Sequence, residues 1–74
     1  MSLITEIEKL ETNMFDSIYT AYKCIEKNDR DNAKAYIATV EILNEEYKEI
    51  TKIHFVRPEI VLDLYERLWR KSNA

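Results

Sequence analysis

The absence of glycine constrains this chain more than any other feature. Among its 74 residues there is none, and the only proline is Pro58. Without glycine, reversals that need a positive φ become costly, so tight hairpins, phosphate-cradling loops and many-turned sheets are disfavoured. Helices joined by short polar connections remain. A single domain over residues 1–74 is expected, because a chain this short supports one modest core.

The spacing of apolar residues points the same way. Leu3, Ile7, Leu10, Met14, Ser17, Ala21 and Cys24 follow one another in alternating steps of four and three. That heptad stripe predicts a first helix over about residues 3–27. A second set, Phe15, Ile18, Tyr22 and Ile25, widens the apolar face, so this end of the helix is expected to meet two neighbours. Ser2 or Thr5 is placed to cap its start, and Thr5 with Glu8 has the spacing of a capping box.

The joint Asn28-Asp29-Arg30-Asp31 pairs a residue that tolerates left-handed dihedrals with carboxylates that favour the next N-terminus. Beyond it, Ala33, Tyr36, Val40, Leu43, Tyr47 and Ile50 repeat the stripe, with His54 on the next step, and predict a second helix over about residues 30–54. Pro58 breaks that helix and suits the first turn of a third, over about residues 58–71, whose broad face carries Val61, Leu64, Tyr65, Leu68 and Trp69. The expected fold class is therefore all-α: an antiparallel helical hairpin with a shorter third helix.

So small a core usually needs reinforcement. A lone cysteine, Cys24, allows neither an intrachain disulfide nor a cysteine-based metal site within one chain, which leaves self-association. The expectation is a homodimer in which two hairpins bury their stripes in a helical bundle. The candidate interface residues are Leu3, Ile7, Leu10, Met14, Tyr36, Val40, Leu43, Tyr47, Ile50, Tyr65, Leu68 and Trp69. Tyr65, Leu68 and Trp69 beside Arg67 and Arg70 have the composition of an interface hot spot, so the third helix either closes the bundle or engages a further protein. In architecture, though in no residue motif, a hairpin that doubles in this way resembles the plasmid RNA-binding Rop family. The stretch Ala21 to Ile37, with Ile25, the Asn-Asp turn, Ala33 and Tyr36, resembles the junction between tetratricopeptide repeats. Neither resemblance implies a functional residue here.

A net charge of −3 disfavours nonspecific attraction to nucleic acid, which depends on clustered Lys and Arg. Residues 55–74 alone are slightly basic, with four basic residues against three acidic ones. Arg57, Arg67, Arg70 and Lys71 therefore define the alternative reading, a nucleic-acid-binding regulator. No apolar run approaches the roughly 20 residues that span a bilayer. The first residues are acidic where a signal peptide would be basic, so a cytoplasmic protein without a membrane partner is expected.

Catalytic signals are sparse. Cys24 lies near the hairpin turn and His54 near the opposite end, which places a thiol and an imidazole out of contact. The Glu-x-x-His pattern of di-iron bundles fails, since Thr51 stands three residues before His54. Glu41, Glu45 and Glu49 form a helical row that reads as a solvated face, with Lys48 and Lys52 interleaved. The five tyrosines suit the margins of a core or an interface, where a ring packs and its hydroxyl stays wet. No catalytic residue, metal ligand or cofactor site is expected. The expected function is a protein–protein interaction module, acting as an adaptor, inhibitor or assembly factor.

Overall fold

The computed structural model describes residues 2–72, with side chains as far as Lys71. Three helices, α1 (Leu3–Glu26), α2 (Arg30–Thr51) and α3 (Pro58–Ser72), make up the described chain, which contains no strand. Ser2 caps α1 by accepting a hydrogen bond from the Thr5 amide at 3.2 Å. Thr5 serves instead as a partner for the Ser2 hydroxyl, at 2.9 Å.

Asn28 solves the missing-glycine problem at the first turn. Its φ is 63°, and the amides of Asn28 and Asp29 donate to Ile25 O and Cys24 O at 3.1 and 2.8 Å. Those two bonds satisfy carbonyls that the end of α1 would otherwise orphan, in the pattern of a Schellman motif. The chain then enters α2 directly, with Asp29 as its N-cap and Asp31 in the first turn.

The second helix ends earlier than the stripe predicts, at Thr51 instead of His54. Two local causes act together. The Thr51 hydroxyl bonds back to Tyr47 O at 2.8 Å and accepts from the Ile53 amide at 3.3 Å, while Lys52 adopts a left-handed φ of 70°. A side chain about two turns earlier supplies the third cause. Asn44 donates from Nδ2 to Val56 O at 2.9 Å, and its Oδ1 accepts from the amides of Phe55 and Val56 at 3.0 and 3.1 Å. This buried amide binds the linker backbone as a neighbouring strand would, so the chain must fold back at Lys52 for the bonds to form. Val56 is thereby drawn into the core beside Met14, Val40 and Tyr47.

α1 and α2 form an antiparallel hairpin, with Tyr47 of α2 reaching Glu11 of α1 through a 2.8 Å hydrogen bond. α3 leaves the linker and runs back toward the hairpin turn. The Asp63 carboxylate receives Tyr22 OH from α1, and Arg70 and Lys71 arrive beside Ile25 and Glu26. Leu64 and Leu68 complete a cluster with Ala21, Ile25, Ala33 and Ile37 at the turn end. The second set of apolar residues on α1 does meet a second neighbour, since Ile18 and Tyr22 pack on that cluster.

The stripes drift from strict heptads as straight helices require. On α1 the buried positions are Met14, Ser17, Ala21 and Ile25, with Cys24 only half-buried. On α2 they are Ala33, Ile37, Val40, Asn44 and Tyr47, so Ile37 and Asn44 take the places expected of Tyr36 and Leu43.

Candidate functional site

The expected interface residues divide into three groups. Met14, Val40, Tyr47 and Leu68 are buried within the monomer and are closed to a second chain in this arrangement. Within one chain the two stripes meet along the middle and turn end of the hairpin, and α3 seals the turn end. Ile7, Leu10, Leu43 and Ile50 are half-buried, and Leu3, Tyr36, Tyr65 and Trp69 are exposed.

Two surfaces gather several of the apolar residues that remain. The first is the open end of the hairpin, which α3 leaves uncovered as it runs the other way. Leu3 is 58% exposed, Ile4 lies beside it, and Ile53, in the linker just past α2, is 62% exposed. Between the helices at this end lies a shallow cleft floored by Leu10 and Ile50 and rimmed by Glu6, Lys9 and Glu46.

The second surface flanks α3. On its α2 side runs a groove lined by Glu41, Glu45, His54, Pro58, Leu62 and Tyr65, over Asn44 and Val61. Tyr65 donates its hydroxyl to Glu41 across the groove, and His54 Nε2 lies 3.2 Å from Glu45 Oε1. The Glu41 carboxylate raises the Tyr65 phenol above its ordinary pKa by accepting its proton in a hydrogen bond, so Tyr65 is neutral through the physiological range. Leu62, at 66% exposure, and Trp69, at 67%, continue the apolar edge along α3 at the spacing of one helix face.

On the α1 side of α3 the charge reverses. Tyr22, Ile25 and Glu26 face Arg67, Arg70 and Lys71. Arg67 is committed locally: its Nε lies 2.7 Å from Asp63 Oδ2, and its guanidinium sits 5.5 Å from the centre of the Tyr22 ring. The Arg67 hydrogen bond holds the Asp63 carboxyl below its ordinary value, while burial and Asp63 raise the Tyr22 phenol. Of the residues offered for nucleic-acid contact, Arg67, Arg70 and Lys71 thus share one groove with Glu26, and Arg67 is paired to Asp63. Arg57 stands apart in the linker.

His54 and Cys24 occupy different regions. His54 pairs with Glu45 in the linker region, whereas Cys24 packs against the turn-end cluster. No cluster of three or more His, Cys, Asp or Glu suited to a metal exists among the described residues. No described helix is long and apolar enough to cross a membrane.

Asn44 is the functional part that periodicity passed over. Its signal was legible as a polar residue on the Ile37-Val40-Asn44-Tyr47 stripe, where burial demands partners for every polar atom. Phe55 is another. It stacks edge-on to Phe15 at 5.2 Å between ring centres and lies 5.3 Å from Tyr47, closing the linker over the hairpin. Compared with known proteins, the chain matches no protein-family model, no curated protein and no solved structure.

Proposed function

We propose that this chain is a non-catalytic interaction module that works by presenting helix faces, and that two copies pair through the open ends of their hairpins. The observation that carries the reading is the unequal cover of the hairpin. α3 seals the turn end, while Leu3, Ile4 and Ile53 stand exposed around half-buried Ile7, Leu10 and Ile50 at the other. Apolar side chains grouped in this way mark association surfaces more often than scattered ones do. A standard interface covers about 800 Å² of each partner. The single half-buried cysteine suits a reducing compartment such as the cytoplasm.

Sedimentation equilibrium tests the pairing. The wild-type chain is expected to be dimeric at about 50 micromolar, an affinity ordinary for a small interface. The double variant Leu3→Glu, Ile53→Glu is expected to be monomeric with unchanged helical circular dichroism, because both sites are exposed in the monomer. A wild-type chain that stays monomeric across that range rejects the pairing.

A further inference from the structure

The groove between α2 and α3 carries two features that rarely coincide on a merely solvated face. One is an apolar edge, formed by Pro58, Leu62 and Tyr65 and extended by Trp69. The other is its charge: its described lining includes the carboxylates of Glu41 and Glu45 and no lysine or arginine. The opposite flank of α3 has three cations, so the separation follows the two sides of one helix. From this geometry we infer that the α2–α3 groove is a docking site for a basic amphipathic helix of a partner protein.

The chemistry of the occupant follows from the lining. A guest helix lays apolar residues at i, i+3, i+4 and i+7 against Leu62, Tyr65 and Trp69, the usual mode by which a helix enters a groove. Lysines or arginines on its flank meet Glu41 and Glu45. Glu41 spends one oxygen on Tyr65, which leaves its charge in place and fixes both side chains before the guest arrives. Glu45 keeps most of its surface exposed beside His54. An acidic guest is rejected by the same carboxylates, so the groove discriminates by repulsion as well as by fit.

The inference rests on the interaction-module reading but uses a different face from the open end, so the two fail separately. The probe is a synthetic helical peptide of about four turns, with leucines on one face, lysines on the flanks and no tryptophan. A second peptide replaces every lysine with glutamate. Amide shifts and Trp69 fluorescence follow the titration against the full chain. The lysine peptide is expected to bind at about 100 micromolar or tighter, to shift amides around Glu41, Glu45 and Leu62, and to weaken as salt rises. Leu62→Ala is expected to weaken it by about tenfold, and Glu45→Gln by a smaller factor.

Equal affinity for both peptides overturns the proposal, as do shifts confined to the open end or no binding at about 1 millimolar. Amides of the groove that shift on simple dilution, without peptide, assign it to a second copy of this chain and also overturn it. A dimer that ignores the lysine peptide rejects the groove and leaves the pairing. A monomer that binds it rejects the pairing and leaves the groove.

Discussion

The two ends of the hairpin are built from similar stripes and reach different degrees of closure. At the turn end, Ala21, Ala33, Ile37 and Leu64 lose all contact with solvent. At the open end, Ile7, Leu10 and Ile50 are half-buried and Leu3 stays mostly in water. Heptad spacing is present in both, so spacing alone does not decide burial. The difference lies in a third element, and that element is held where it is by Asn44 and the linker it binds.

Mutations are expected to report this contrast as a gradient. Leu64→Ala empties a fully enclosed site and should cost about 3 kcal/mol in urea unfolding. Asn44→Ala strips partners from two amides and a carbonyl of the linker, and should cost about 2 kcal/mol while loosening α3 specifically. Faster hydrogen exchange in residues 55–72 with the hairpin unchanged would confirm that route; uniform acceleration along the chain would break it. Leu10→Ala, at the open end, should cost about 1 kcal/mol, because a half-buried site loses transfer energy without leaving a closed cavity. A Leu10 variant as damaging as the Leu64 variant would erase the contrast.

Smaller effects sharpen it. Lys52→Gly relieves a left-handed side chain but loosens the unfolded chain, for a net gain of about 0.5 kcal/mol. The pH dependence of the docked helix is expected to be smaller still. Asp63 has a depressed folded pKa, so its contribution is present above the ordinary carboxylate range and is lost as pH falls through the folded value. Tyr22 is shifted upward, so its contribution persists through neutral pH and is lost as pH rises through the folded value. Carboxyl and phenol resonances followed by pH titration check both signs. An Asp63 that titrates at or above its ordinary value would show that the Tyr22, Asp63 and Arg67 contacts do not form in solution.

Most of the architecture was legible from residues alone, because it depends on local chemistry. Asn28 had to end α1 in a glycine-free chain, Pro58 had to open α3, and the apolar stripes had to face each other. What periodicity missed was decided by tertiary contacts. Tyr36 and Ile37 are both apolar neighbours, and only the rotation of α2 against α1 and α3 selects Ile37 for the core. The early stop at Thr51 depends on the bonds Asn44 makes to residues about three turns later along the chain. The open surfaces were harder again. A list of apolar residues does not separate Leu62, which faces solvent, from Leu64, which faces none, until the axis of α3 is fixed.

The Asn44 bonds also bear on what an incoming helix can do. They anchor the linker at Val56, and α3 begins at Pro58, so a single residue, Arg57, separates the anchored point from the helix. A tether that short keeps α3 at a very high effective concentration over its own seat. A free helix arriving at cellular concentrations competes poorly for that seat, however well it fits. On the docking proposal, the place left for a partner helix is alongside α3, with the third helix as part of the surface it would read.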